Sequence, residues 1–340
     1  MHKFLVEISA GQNPKKMNNQ INYIAIIKEA WQITWKNKYL WWFGLFVALS
    51  GGIGSNFSSG WKKENGWEED AKQKISDWAA LYWEWLVLGL ILLILLMIVF
   101  SILNVWGRSA LVVSLGRITA KEPVQEPMNF KAGMKEGKKF FWPILGLNLF
   151  LFGIGAATLI ILGTPIAILF YLKAYWTGVF LASGGLIIFI LLVILFSFLQ
   201  KFGIIYLILG KVSFWSAFEN AYALFRRNFW PSIIMGIIFI PLGLLAGLAA
   251  LAFILAVLLI FLIPGLLAYF LMGKWAIIAL IILGMLILIA GILAINSVYA
   301  VLAQTIWILF FRQIALPKEE EKVVEVIKEI KPAEITEVVA

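Results

Sequence analysis

Six apolar runs, near residues 39–54, 86–106, 143–172, 179–200, 231–262 and 276–304, set the terms on which this chain can fold. Most approach the roughly 20 residues that a helix needs to cross ~30 Å of hydrocarbon. In lipid no water is available to backbone N–H and C=O groups, so a spanning segment must close its hydrogen bonds within a helix. Composition agrees: 62% of the 340 residues are hydrophobic and 14% charged, with mean hydropathy +0.93. Soluble domains carry about a quarter charged residues. The first run is short and ends in the glycine-rich ALSGGIGS, so it is expected to begin inside the preceding helix. The stretch 231–273 holds either two short spans around Pro264 and Gly265 or one long span and a turn; its match to 143–172 favours one.

Charge sets the orientation. Segments 1–38, 107–142 and 201–230 carry six, seven and four Lys/Arg, whereas the alternating segments 55–85, 173–178 and 263–275 carry four, one and one. Excess Lys/Arg marks the cytoplasmic side, so the chain is expected to cross a cell (inner) membrane six times with both termini cytoplasmic. The net charge of +9 follows from that topology and favours anionic lipid headgroups as partners. Nucleic acid is not expected, because it requires a basic surface on a soluble domain. Residues 1–20 read as a disordered extension without the apolar core of a signal peptide. The outside loop 55–85 holds six acids, four lysines and Trp61, Trp67, Trp78, Trp83 and Trp85, read as interfacial anchors.

A short motif recurs. Residues 30–37 read AWQITWKN and residues 221–228 read AYALFRRN, with AGMKEGKK at 132–139 a weaker third copy; Trp41, Trp142 and Trp230 follow. In the first copy Asn22, Glu29, Gln32 and Lys36 share one helical stripe, and Tyr23, Ile24, Ile27, Ala30, Trp31 and Trp35 the other. The last copy splits the same way, with Ser216, Glu219, Asn220, Ala223 and Arg227 against Phe214, Trp215, Phe218, Ala221, Tyr222 and Phe225. This 3.6-residue period predicts amphipathic helices lying in the interface, aromatic face down. Asn22 and Ser213 stand at N-cap positions, and Pro143 and Pro231 mark the break before each span. The candidate lipid-facing residues are Trp31, Trp35, Lys36, Asn37 and Trp41 in the first copy. In the middle copy they are Lys138, Lys139 and Trp142, and in the last Arg226, Arg227, Asn228 and Trp230.

A second element follows each expected hairpin: GRSALVVSLGRI at 107–118, KFGIIYLILGKVS at 201–213 and QTIWILFFRQIA at 304–315. Each is read as a short inner helix ending in a cation. The expected fold is therefore an all-α, polytopic integral membrane protein of about six transmembrane helices. These form three hairpin repeats (21–118, 119–212 and 213–316), each preceded by a cytoplasmic interfacial helix. Residues 317–340, with seven glutamates and four lysines, read as a charged cytoplasmic tail that offers a docking segment to a soluble protein partner.

The stretches AWQITWKNKYLWWFGLF at 30–46 and SFWSAFENAYALFRRNFWPSI at 213–233 resemble the membrane domain fused to some bacterial glycerophosphodiester phosphodiesterases, and related stand-alone six-pass membrane proteins of unknown function. The resemblance covers residues 17–315 and implies a fold. In the fused enzymes the chemistry belongs to a separate barrel with catalytic His and acidic residues, which this chain lacks, so phosphodiesterase activity does not carry over.

Catalysis is not expected. Hydrolysis, phosphoryl transfer or metal chemistry needs grouped His, Cys, Asp or Glu, and the chain has no cysteine and one histidine, His2. No cofactor or resident metal is expected either. The acids at 68–70 with Asp77 form at most a weak cation site, and GGIGSNFSSG at 51–60 lacks the Lys-Ser/Thr ending of a phosphate loop. No ionisable residue falls in the centre of an expected span, which disfavours ion-coupled transport. Asn104, Asn148, Thr158, Thr164, Asn296, Ser297 and Gln304 are the polar residues within the membrane; Asn148 and Asn296 are expected to bond across helices. Gly243 and Gly247 form a small-residue face expected to pack spans within the molecule. The functional expectation is a non-enzymatic protein organising lipid or partner proteins at the cytoplasmic leaflet. The alternative is a permease or lipid-handling transporter without intramembrane charge coupling, which a polar cavity beside short or broken spans would favour.

Overall fold

A computed structural model of the protein describes residues 21–51, 78, 80–120, 129–271 and 274–315. Among the described residues there are nine helices and no strand: α1 (Tyr23–Lys36), α2 (Leu40–Gly51), α3 (Trp83–Thr119), α4 (Phe130–Lys138), α5 (Phe141–Tyr171), α6 (Tyr175–Leu209), α7 (Phe214–Arg227), α8 (Phe229–Leu271) and α9 (Lys274–Ala315). Five of them, α3, α5, α6, α8 and α9, are long and apolar enough to cross a membrane, and α2 is a shorter apolar helix. Residues 1–20, the acids at 68–70, Asp77 and the tail 317–340, each with a role expected above, lie outside the described residues.

Local signals fix the starts of the short helices. The side chains of Asn22, Asn129 and Ser213 accept hydrogen bonds from the backbone N–H of Ala25, Ala132 and Ser216, satisfying donors that a first turn leaves open. Pro143 and Pro231 sit in the first turns of α5 and α8, where proline is tolerated. The stretch 231–273 is a single helix as far as Leu271, with Pro241 and Pro264 inside it.

The second recurring element takes a different form from the one expected. Residues 107–118, 201–209 and 304–315 are no separate inner helices but the last turns of α3, α6 and α9. They form the core: Ala110, Leu111 and Leu115, Phe202 and Ile205, and Ile306 and Phe310 are all essentially fully buried. Helices that are apolar all round are built for burial between neighbours. The opposite halves of the long helices are bare, with Leu92, Ile161 and Phe180 at 62%, 70% and 82% exposure. An apolar surface of this extent marks contact with something other than water.

The short helices close the packed end. α4 packs on α3, α7 on α6 and α1 on α9, so each short helix docks on the last turns of the preceding hairpin, and the first docks on the last. α2 lies between α3 and α9. Gly44 sets that approach, because a Cβ there would stand 2.8 Å from Ser297 Oγ and closer still to its backbone carbonyl. The expected seam at Gly243 and Gly247 is not made within the molecule: a Cβ on Gly243 would meet only Tyr299 Oη at 3.5 Å, and one on Gly247 would meet nothing within 4 Å. Gly243 is half-buried beside α9, whereas Gly247 is exposed.

Asn148 does bond across helices, accepting from Gln200 Nε2 at 2.8 Å. A double-mutant cycle of Asn148→Leu and Gln200→Leu is expected to return a coupling of about 0.6 kcal/mol. A value near zero in a denaturation titration would place the pair in contact with water.

Candidate functional site: a polar cavity between the hairpins

A cavity of about 770 Å³ opens among α2, α3, α6 and α9. Its wall carries Arg108 from α3, Gln200 and Lys201 from α6, and Asn296, Tyr299, Gln304 and Trp307 from α9. Apolar residues complete it, among them Val47 and Leu49 at the end of α2, Phe100, Ile289, Ile292 and Leu293. Arg108, Lys201 and Gln304 each lie at the first or second position of the three recurring elements, so the three return helices deliver one polar group apiece to the same space.

The two cations lie just past the ends of the expected spans, on the same continuous helices. Hydropathy ends the spans at 106 and 200, the last residues before each cationic segment, but α3 continues to Thr119 and α6 to Leu209. Both cations are thereby carried into the bundle wall. Lys201 Nζ lies 4.7 Å from the Trp307 ring and 5.6 Å from that of Phe239, and the two rings stack at 5.2 Å with planes 2° apart. An aromatic face attracts an ammonium through its quadrupole. Phe239 stands roughly 13 Å of helix beyond the exposed Trp230, which gives the depth of Lys201 within the bundle. Gln200 is held by Asn148, and Asn104 donates to Val47 O at 2.9 Å, fixing α2 against α3 beside the cavity. Asn296 lines the cavity, in place of the interhelical bond expected of it.

The residues expected to face lipid are not gathered into one site. On α1 the expected aromatic face divides in two. Ile26, Ala30 and Thr34 turn inward while Trp31 and Trp35 remain exposed, because α9 covers one side of the helix. Trp142, Trp230, Lys36, Lys138, Lys139, Arg226 and Arg227 are exposed. Asn37 and Asn228 act as C-caps, each amide donating to the carbonyl four residues back, Ile33 O at 3.0 Å and Leu224 O at 3.2 Å. Trp41 pins the corner between α1 and α2, its Nε1–H donating to Thr34 O at 3.0 Å and its ring meeting Trp35 edge-on. In α4, Glu136 is held below the usual carboxylate range by a hydrogen bond from Lys139 and approaches Arg117 at 3.9 Å. Among the described residues no group of His, Cys, Asp and Glu is arranged to hold a metal.

No family model, no curated protein sequence and no solved structure matches this chain.

Proposed function

We propose that this is a six-pass membrane protein that binds and handles a lipid or other amphipathic molecule in the cavity between its hairpins, as a permease or lipid-handling transporter. The observation that carries the reading is the cavity itself: its size is that of a small-molecule site, and polar and apolar groups share its wall. It stands where three return helices meet, the place at which repeat-built transporters bind substrate. α2, with 12 described residues or about 18 Å of helix, is a short element whose last turns border that cavity. Short or broken spans are tolerated where they line a polar space.

The proposal includes six crossings in three repeats. α2 is a sixth apolar helix, starting at the packed end beside α3 and α9, and supports a sixth crossing. The cyclic docking of α4 on α3, α7 on α6 and α1 on α9 supports a unit used three times. The Lys/Arg excess favours the packed end as the cytoplasmic side, with the exposed cations of α1, α4 and α7 and the tryptophans of α1 and α7 at the inner headgroups. No catalytic step is assigned.

The test fills the cavity. Native mass spectrometry of the full chain released gently from its own lipid is expected to show an amphipathic molecule retained at fixed stoichiometry. Ala303→Trp, which projects an indole from the cavity wall, is expected to lose at least nine-tenths of it while the protein remains monodisperse. Equal retention in the variant would defeat the reading.

A further inference from the structure

Two half-buried cations line the cavity without a hydrogen-bond acceptor, Arg108 and Lys201. Among the described residues neither Arg108 nor Lys201 has a carboxylate partner, the recorded ion pairs being those of Glu136. Trp307 is 3% exposed, and its indole N–H has no hydrogen-bond partner. Buried donors are normally paired, and intramembrane cations mark binding sites and pathways. The rings facing Lys201 offset only part of the loss of water around an ammonium. Among the described residues no Asp or Glu lines the cavity.

The cavity is also polarised along its length. From Ile289 to Trp307 it follows roughly 27 Å of α9. Ile289, Ile292 and Leu293 occupy one half, and Asn296, Tyr299, Gln304 and Trp307 the other, beside Arg108 and Lys201. A cationic, donor-rich end joined to an apolar end is complementary to a molecule with the opposite headgroup charge and a hydrocarbon body.

Resting on the reading of the cavity as a binding site, the geometry points to its substrate class: an amphipath with one anionic headgroup, phosphate or carboxylate. The head meets Arg108 and Lys201, and the chain lies along Phe100, Ile289 and Leu293. The guanidinium fork matches the oxygens of either anion. The apolar half of the cavity favours a lipid over a free anion.

The experiment compares headgroups on one acyl chain. The full-length protein in a neutral detergent is titrated with oleate, oleoyl lysophosphatidate and monooleoylglycerol, and binding is read by native mass spectrometry. The two anionic probes are expected to bind one per chain and at least tenfold more tightly than the neutral one. Arg108→Gln and Lys201→Gln are each expected to weaken the anionic probes about tenfold. Equal binding of charged and neutral probes, lost in Ala303→Trp, would overturn the anionic class while leaving the cavity as a binding site. Binding that Ala303→Trp does not alter would overturn both. Displacement of the lipid by inorganic phosphate at equal concentration would keep the anion and overturn the amphipath. The headgroup comparison uses the unaltered protein, so it decides the matter even if the variants fail to fold.

Discussion

Trp307→Ala is expected to destabilise the bundle by about 4 kcal/mol, in the range for deleting a fully packed aromatic. Trp307 joins three helices. Its ring stacks on Phe239 of α8, meets Phe198 and Phe202 of α6 edge-on at 5.6 and 5.9 Å, and touches Phe310 one turn along α9 at 5.9 Å. Lipid is as apolar as these side chains, so the loss is one of close contact and ring geometry more than of hydrophobic transfer. Removing the indole also takes the face from beneath Lys201. Trp307→Phe keeps a ring in place and is expected to lose less than half as much. Equilibrium unfolding in mixed micelles measures both, and a loss below about 1 kcal/mol for Trp307→Ala would remove this cluster from the core.

Gly137→Val is expected to cost about 3 kcal/mol and to unseat α4 from α3. A Cβ at this position would stand 2.7 Å from both Cα and N of Ala110, and a backbone cannot move aside as a side-chain tip can. The contact also carries the hydrogen bond from Trp106 Nε1 to Met134 O, 3.0 Å, which is lost if the helices part. Amide hydrogen exchange across 130–138 is expected to rise to that of a free helix. Protection equal to that of the unaltered protein would show that the two backbones are not in close contact.

Those glycines illustrate what a sequence conceals. Gly133 and Gly137 weaken the propensity of α4 and make the middle copy of the motif look poor, yet both are buried and form its contact face. Helix propensity is a local property, and the reason for a small residue lies on the other helix. What was legible was likewise local: the caps at Asn22 and Ser213, the prolines at the heads of α5 and α8, and the continuity of 231–271. The cavity was not legible, because a hydropathy window stops at its first cation and so assigns Arg108 and Lys201 to the water side. A signal was present. Residues 109–116 and 202–209 carry no charged group on any face, a pattern that belongs to a buried helix and not to one lying in an interface. Gln304, at the matching point of the third element, reads in sequence as one of seven polar residues within the membrane, and only the convergence of three helices joins it to the two cations.

The division between a packed end and bare outer halves has a mechanical consequence. At 37 and 35 residues, α3 and α6 run to about 55 and 52 Å, well beyond the ~30 Å of hydrocarbon they have to match. A bundle packed along its whole length would have to tilt as one body or deform the lipid around it. Among the described residues the outer arms lean chiefly on their hairpin partners, which leaves a change of tilt in the arms as the cheaper response to mismatch. Thicker or thinner bilayers are thus absorbed in the arms, and the spacing of Arg108, Lys201 and Gln304 is insulated from the thickness of the membrane that holds them.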